Sequence, residues 1–502
     1  MNMYQTFPVL SAEEAVALIN NGDTVAFSGF TPAGAAKAVP KALAARARRE
    51  HAQNRPFQLR ILTGASTNHH IDHELAAADS IAWRAPYQGE KAVRQLINNG
   101  KTEYIDMHLS HVPQMVDFGF FGRINIAVIE AVEVTSDGRV FLSTSIGASP
   151  TYLRFADKVI IEINRHHSQR LREMADITVM PRPPHRSPIP IFEPLTRIGF
   201  AYAVVDPKKV AAVVESNEPD ETHTFPPPDD IGRKIAGHVT DFLLSEMRSG
   251  RIPDTFLPLQ AGVGNVANSV MAALGSHPDI PNFYMYSEVF QDAMVDLMVS
   301  GKLLGASACS LTISSAKLKH IIDDIDFFIP RIVLRPQEIS NHPGIIRRLG
   351  VIALNTIIEA DIYGNANSSH LYGIDVVNGI GGSGEFTRNS YLSILMTPSI
   401  AKGGKISAIV PFCPHIDSNE HSVQIIATEQ GLADLRGLGP VQRARRIIDQ
   451  CAHPAYRDYL NQYLKDARQG HIPHNLAKCF ELHRNLLEYG SMLPDLSADA
   501  FS

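Results

Sequence analysis

The sequence predicts an α/β protein with two similar α/β domains in tandem and largely parallel sheets. Short β-branched or aromatic segments alternate with segments of helical periodicity, and such alternation is typical of parallel sheets. The chain has 502 residues, which exceeds one ordinary hydrophobic core and indicates two or more domains. A strand, a glycine-containing turn and a helix recur in the two halves, as VAFSGFTPAGAAKAVPKALAAR and LPLQAGVGNVANSVMAAL. This internal similarity favours two related domains.

The predicted strands are short apolar runs bounded by turn residues. They cover residues 24–27, 59–62, 124–129, 158–163, 210–214, 283–286, 331–334 and 406–410. The predicted helices repeat apolar residues at helical spacing. They cover residues 33–48, 231–249, 265–274, 289–300 and 441–451.

A domain boundary is expected near residue 225. Proline-rich segments at 181–190 and 218–230 cannot form central strands or helix interiors, because proline lacks a donor and fixes φ. The second segment is also polar and precedes an amphipathic helix. We therefore predict domains over residues 1–225 and 226–502, the second carrying Glu288.

Composition and charge narrow the classes of function. The net charge is −6 and the pI is about 6.4, which argues against nucleic acid as a partner. The four cysteines form no CxxC, so a reducing compartment is expected. No apolar run approaches the roughly 18 residues that span a bilayer, and no signal peptide is evident. A cytoplasmic protein without a membrane partner is the expectation.

Glu288 is a candidate for chemistry. It follows the predicted strand 283–286 and precedes the predicted helix 289–300. Ligands of open α/β sheets bind at this edge, and a helix N-terminus would favour the ionised carboxylate that a nucleophile requires. Alternatively, Ser287 caps the helix and Glu288 only complements its dipole.

The segment Gly262-Val263-Gly264-Asn265-Val266-Ala267 follows an apolar strand and opens a helix. Glycines allow a ligand to approach the backbone, and helix N–H groups then face an anion. The spacing also satisfies GxGxxA, and Glu288 stands where the ribose-binding acid of a dinucleotide site would lie. An NAD-dependent dehydrogenase is therefore an alternative, and a tight structural turn is another.

Four glycines fall between Gly379 and Gly384, directly after Asn378. Such a loop can present N–H groups to an anion or an oxyanion, although a flexible turn has the same composition. Lys402 lies beside another tight turn, and Asn341 precedes a helical stretch that it could cap. The histidine groups match no strong metal signature, so no metal is expected.

Eight segments resemble the succinyl-CoA:acetate CoA-transferase and acetyl-CoA hydrolase family of class I CoA-transferases, and most closely its bacterial propionyl-CoA:succinate CoA-transferases. The segments are VAFSGFTPAG from Val25, WRAPYQ from Trp83, VVDPKKV from Val204, LPLQAGVGN from Leu257, MYSEV from Met285, RIVLRPQEISNHP from Arg331, NGIGGSGEF from Asn378 and TEQGLADLRG from Thr428.

This resemblance implies a site in a cleft between the two domains, usually in a homodimer. Glu288 would form an acyl-glutamyl anhydride and then a glutamyl-CoA thioester. Asn341 would orient the reacting carbonyl. Val263, Gly264 and Gly382 would form the site that stabilises the oxyanion. The implied CoA-binding residues are Leu259, Gln260, Ala261, Gly262, Val263, Gly264, Asn265, Asn378, Gly382 and Lys402.

The implied reaction moves CoA between a short-chain acyl-CoA (succinyl-, acetyl- or propionyl-CoA) and acetate, propionate or succinate, with ping-pong kinetics. CoA is then a substrate, and no tightly bound cofactor is expected. Water reaching the loaded glutamate would instead give an acetyl-CoA hydrolase. The sequence leaves that alternative and the acyl preference open.

Overall fold

A computed structural model of the chain describes residues 6–222 and 227–494. The described chain forms two compact units. The first comprises Met1–Thr224, Tyr284–Leu349 and Asn378–Gly382, and the second comprises Phe225–Phe283, Gly350–Val377 and Ser383–Ser502. These units differ from the predicted domains, because the segment that carries Glu288 groups with residues before 225. The predicted boundary near 225 lies outside the described residues, and the domain division stays a prediction.

The first unit contains a seven-stranded sheet in which every neighbouring pair is parallel. Its strand order is Val210–Ser216, Lys158–Asn164, Ile126–Ala131, Thr24–Phe27, Leu59–Leu62, Ile81–Ala85 and Glu103–Tyr104. Val25, Phe27, Ile61 and Val128 are buried in one apolar cluster with Leu43 of a covering helix. Burial of this kind is typical of a parallel sheet covered by helices.

The helices of the first unit before residue 224 connect and cover these strands. They are Ala12–Ala15, Ala38–Ala52, Glu74–Ala77, Lys91–Asn98, Val112–Asp117 and Ser149–Phe155. A small antiparallel sheet lies beside them, with strands Glu133–Val134, Arg139–Phe141 and Ala203–Val204.

The segment Tyr284–Leu349 adds further strands and helices to the first unit. Leu303–Ala308 pairs in parallel with Ile332–Leu334, and Val289–Phe290 pairs in parallel with Ser310–Leu311. The strand Phe283–Tyr286 precedes them. The helices are Asp292–Val299, Ser315–Asp323, Ile325–Phe328, Gln337–Ser340 and Pro343–Leu349.

The second unit has its own mainly parallel strands. Leu259–Ala261, Ile352–Thr356, Leu392–Met396 and Ile425–Thr428 run parallel, and Gly431–Asp434 returns antiparallel. Short strands complete this unit: Glu359–Asp361, Ala366–Asn367, His370–Leu371, Asp375–Val376, Ile400–Ala401, Ile406–Ser407 and Ile409–Val410. Its helices are Asp230–Arg248, Asn265–Ser276, Ser383–Asn389, Pro440–Cys451, Pro454–Asp466 and Glu481–Tyr489.

The prediction of an α/β protein with largely parallel sheets is confirmed. Strands 24–27, 59–62 and 283–286 have the predicted bounds. The predicted start of helix 289–300 is wrong, because Val289 and Phe290 form a strand and the helix begins at Asp292. Among the described helices, none combines the length and apolar character that a bilayer span requires.

Candidate active site

Glu288 lies in the short link between the strands Phe283–Tyr286 and Val289–Phe290. The N–H of Ser287 donates to the carbonyl oxygen of Ser307 at 2.9 Å, and the carbonyl oxygen of Glu288 accepts from the N–H of Cys309 at 2.8 Å. Val289, the next residue, is buried in an apolar cluster. The expectation that Glu288 stands at the N-terminus of the helix that follows it in sequence is therefore wrong, because that helix begins at Asp292.

Two donors contact the carboxyl group of Glu288. The Nδ2 of Asn341 donates to Oε1 at 3.3 Å, and the backbone N–H of Gly382 donates to the same carboxyl group. The structure thus brings together three residues that are widely separated in sequence: Glu288, Asn341 and Gly382. All three belong to the first compact unit.

The amide of Asn341 is held in one orientation. Asn341 and Ser340 are fully buried, and the Ser340 hydroxyl donates to Asn341 Oδ1 at 2.7 Å. Because this oxygen already accepts a hydrogen bond, Nδ2 is the atom that faces Glu288. Asn341 is the C-terminal cap of the preceding short helix Gln337–Ser340. This differs from the expected cap of the helix that follows, where the N–H of Gly344 donates to His342 Nδ1 at 3.1 Å.

Glycine is required at position 382 by the close approach of two side chains. A Cβ atom there would lie 2.7 Å from Asn341 Nδ2 and 2.7 Å from Glu288 Cδ, which is well inside van der Waals contact. Gly381 has a φ of +54°, in the left-handed region that glycine adopts without strain. These two glycines let the backbone N–H of Gly382 reach the carboxyl group.

Burial raises the pKa of Glu288 to about 7, and the hydrogen bonds from Asn341 and Gly382 oppose this rise. The side chain retains partial access to solvent, yet the protein atoms around it replace most of its hydration. Burial disfavours the charged form of a carboxylic acid, whereas hydrogen bonds to the carboxylate favour it. Near neutral pH, Glu288 therefore exists in both protonation states.

Several side chains beside the glycine loop were not singled out by the sequence patterns. Tyr104 and Asp106 contact the loop through hydrogen bonds, and the ring of Tyr87 lies against Gly381. Tyr87 belongs to the WRAPYQ segment, so the family resemblance offered a signal for it. Tyr104 and Asp106 lie in no motif that we recognised.

The GxGxxA segment forms the predicted strand-turn-helix in the second unit. The strand Leu259–Ala261 ends where the N–H of Gly262 donates to the carbonyl oxygen of Leu354 at 2.8 Å. Gly264 has a φ of +136°, and the helix begins at Asn265. The turn conformation expected from the sequence is present, whereas its role in binding CoA stays a prediction.

Two further candidate residues of the second unit differ in exposure. Gln260 is buried, and its amide pairs reciprocally with the amide of Asn355 through two bonds of 3.0 Å. Lys402 is exposed on the turn between strands Ile400–Ala401 and Ile406–Ser407. A CoA contact by either side chain stays a prediction.

Within the described residues, one group of side chains has ligand atoms close enough to hold a metal ion: Glu130, His167 and Asp220. The ammonium of Lys37 lies at 2.5 Å from Glu130 Oε2 and 2.9 Å from Asp220 Oδ1. This lysine supplies the positive charge that the two buried carboxylates require. The cluster is therefore explained as a buried ion-pair network.

Comparison with known proteins decides the family. Residues 1–215 match the acetyl-CoA hydrolase/transferase N-terminal domain, and residues 318–464 match the corresponding C-terminal domain. The propanoyl-CoA:succinate CoA transferase of Escherichia coli K12 is 56% identical, over 96% of this chain and 98% of that protein. The chain belongs to the acetyl-CoA hydrolase/transferase family.

Other members of this family carry two kinds of name. The succinyl-CoA:acetate CoA-transferase of Clostridium kluyveri is 45% identical over 96% of this chain and 90% of that protein. The acetyl-CoA hydrolase of Schizosaccharomyces pombe is 41% identical over 97% of this chain and 96% of that protein. The predicted family is confirmed, and these relatives support the prediction of a CoA-transferase enzyme.

Two solved structures share the fold. RipA from Yersinia pestis is 24% identical, with a TM-score of 0.72 over 93% of this chain and 99% of RipA. The 4-hydroxybutyrate CoA-transferase of Porphyromonas gingivalis is 20% identical, with a TM-score of 0.62 over 91% of this chain and 97% of that chain. At these identities the likeness concerns the fold alone.

Proposed function

We propose that this chain moves CoA between a short-chain acyl-CoA and a small free carboxylate through a covalent intermediate on Glu288. One observation carries the proposal: the Glu288 carboxyl group is held by Asn341 Nδ2 and the Gly382 N–H in a partly solvent-accessible position. A held carboxylate can act as a nucleophile, and backbone donors beside it can stabilise developing negative charge.

Loading of CoA onto Glu288 takes two acyl-transfer steps, and each step forms one bond and breaks another. A Glu288 carboxylate oxygen attacks the thioester carbonyl, the C–S bond breaks, and CoA leaves as a thiolate from a mixed anhydride. The thiolate then attacks the glutamyl carbonyl, releases the first acid as a carboxylate and leaves CoA as a thioester on Glu288. The second carboxylate takes CoA by the reverse of these steps. Because the thioester bond is exchanged and not hydrolysed, no external energy source is required.

The environment of Glu288 favours its loaded form. Burial destabilises the free carboxylate, as its pKa of about 7 indicates. The anhydride and the thioester carry no charge on this group, so loading relieves the cost of keeping an anion partly desolvated. A carboxylate of higher basicity is also the stronger nucleophile. The same burial therefore makes Glu288 more reactive when it is ionised.

Binding of the CoA moiety is assigned in this proposal to Leu259, Gln260, Ala261, Gly262, Val263, Gly264, Asn265, Asn378, Gly382 and Lys402. The backbone N–H groups of Val263 and Gly264 would donate to the oxyanion together with the N–H of Gly382. Backbone N–H groups at a glycine turn and an exposed lysine suit an anionic ligand. The proposal includes a cytoplasmic homodimer with CoA as a substrate and no resident cofactor.

The names of the relatives suggest the substrates. Propionyl-CoA with succinate and succinyl-CoA with acetate are the pairs that we would test first. One methylene in a pocket changes discrimination by only about 1–3 kcal/mol, so exchange rates for acetate, propionate, butyrate and succinate should be compared on one preparation. Hydrolysis is the second candidate, and a free-thiol assay with and without acceptor acid separates it from transfer.

The decisive experiment is mass spectrometry of the intact and digested protein after addition of acyl-CoA without acceptor. We expect a CoA adduct on the peptide that contains Glu288, and loss of that adduct when an acceptor acid is added. The Glu288→Ala variant should form no adduct and no product. Acceptor-dependent turnover by a protein whose Glu288 remains unmodified would refute the proposed mechanism.

A further inference from the structure

The glycine loop beside Glu288 is anchored by side chains from the strand end at Glu103–Tyr104. Residues Asn378–Gly382 belong to the first compact unit, although the residues on both sides of them belong to the second. The contacts that keep this short segment with the first unit are therefore important for the position of Gly382.

Hydrogen bonds fix the first half of the loop. Both carboxyl oxygens of Asp106 lie 2.9 Å from the N–H of Ile380, which donates to them. The hydroxyl of Tyr104 donates to the carbonyl oxygen of Asn378 at 2.8 Å, and the Gln88 amide donates to the same oxygen at 3.3 Å. The loop backbone is thus held both through an N–H donor, that of Ile380, and through a carbonyl acceptor, that of Asn378.

The fit of the loop against these side chains is tight. A Cβ atom at Gly379 would lie 2.6 Å from Asp106 Oδ1, 2.7 Å from the Tyr104 hydroxyl and 2.9 Å from a ring carbon of Tyr87. Gly379 is itself buried. A loop packed in this way cannot shift toward Tyr104 and Asp106, and its hydrogen bonds oppose a shift away from them.

The anchored segment ends at the donor that serves Glu288. Gly382 follows Ile380 by two residues, and its N–H donates to the Glu288 carboxyl group. We propose that Tyr104 and Asp106 are positioning residues, which hold the Asn378–Gly382 backbone so that the Gly382 N–H points at the carboxyl group of Glu288. The inference rests on the proposed function, because that function gives the Gly382 donor its catalytic importance.

A positioning role makes a specific kinetic prediction. Donors placed for developing charge stabilise the transition state more than bound substrate. Loosening the loop should therefore lower the rate at which Glu288 is loaded at saturating acyl-CoA, by at least about tenfold. The dissociation constant for CoA should change by less than about threefold, because most of the residues assigned to CoA binding lie outside the loop Asn378–Gly382.

The test compares Asp106→Asn and Tyr104→Phe with wild type by rapid-quench mass spectrometry of the CoA adduct. Matched controls are Asp206→Asn, which alters a carboxyl group that accepts a backbone N–H at 3.0 Å, and Tyr391→Phe, which removes a hydroxyl that donates to a backbone carbonyl at 2.5 Å. Both controls should load at the wild-type rate. Tryptophan fluorescence of Trp83 checks folding.

Each result of this test either supports or overturns the positioning role of Tyr104 and Asp106. Slow loading with unchanged CoA binding in both site variants supports the inference. Loading at the wild-type rate by a folded Tyr104→Phe and a folded Asp106→Asn would overturn it, and Tyr104→Phe alone decides if Asp106→Asn does not fold. A weakened CoA affinity with an unchanged loading rate also overturns it. If the wild-type protein forms no adduct at all, the proposed function itself fails. That result differs from failure of the positioning role, in which the wild type and the variants load at the same rate.

Discussion

Replacing Glu288 by glutamine should make the protein more stable at alkaline pH. The folded pKa of Glu288 is about 7, against an ordinary value of 4.5. Below pH 4.5 the acid is protonated in both states and has no effect on stability. As the pH rises from 4.5 to 7, the unfolded chain releases this proton while the folded chain retains it, so the free energy of unfolding falls. Above pH 7 the loss is complete.

The size of the effect follows from the two pKa values. They differ by about 2.5, which corresponds to an upper limit of about 3 kcal/mol at 1.36 kcal/mol per pKa unit. Solvent screening of the partly accessible side chain lowers this figure, and we expect about 1–2 kcal/mol. Glutamine has the same shape and does not titrate, so its variant should lack this part of the pH dependence.

The assay is urea unfolding at pH 5 and pH 8.5, followed by fluorescence. Trp83 is the single tryptophan of the chain. It is buried in the unit that contains Glu288 and therefore reports on the relevant part of the fold. Relative to wild type, the Glu288→Gln midpoint should gain about 0.5 M urea between the two pH values. Any constant offset from altered hydrogen bonding cancels in this comparison.

Glu13→Gln, at an exposed position, is the matched control and should follow wild type at both pH values. The reasoning is refuted if Glu288→Gln and wild type show the same change in midpoint between pH 5 and pH 8.5. It is also refuted if the wild type gains stability relative to the variant as the pH rises.

Three further predictions concern activity and stability. The kcat/KM for acyl-CoA should rise with pH through about 7, because only the ionised form of Glu288 attacks; a flat profile from pH 5.5 to 9 would contradict this. Gly382→Ala should slow adduct formation by about 10²–10³-fold, whereas Gly237→Ala, at a helical position with open space around it, should load normally. Comparable rates for the two variants in the mass-spectrometric assay would argue against a donor at position 382. Lys37→Met removes the lysine that pairs with the buried carboxylates of Glu130 and Asp220 and should lower the free energy of unfolding in urea by about 3–5 kcal/mol. Lys41→Met, in an exposed pair, should lower it by under about 1 kcal/mol. Equal losses would show that burial does not control the cost.

Local sequence patterns identified many elements of the fold. Apolar runs, turn glycines and helical spacing are local sequence patterns. They predict the strands at 24–27, 59–62 and 283–286 and the helix that begins at Asn265. The pattern failed at Val289–Phe290, where helical spacing continued upstream of the true helix. Pairing with Ser310–Leu311 makes these two residues a strand, and a partner so far along the chain leaves no local signal.

Arg443 shows the same limit for burial. The arginines at 443, 445 and 446 fit the solvated face of a helix. Arg443 is instead buried, and it donates to the carbonyl oxygens of Tyr363 and Val423 at 2.7 and 3.1 Å. Satisfied donors make burial of a guanidinium tolerable. Those acceptors come from distant segments, so the sequence around the helix does not reveal them.

By itself, the sequence determined the α/β class, the likeness to CoA-transferases and the choice of Glu288, Asn341 and Gly382 as candidates, because motifs and periodicity are properties of short segments. Only the tertiary structure decided that these three residues meet, that burial raises the pKa of Glu288 to about 7, and that Tyr104 and Asp106 anchor the loop carrying Gly382. Contacts and desolvation depend on residues that folding brings together from far apart in the chain.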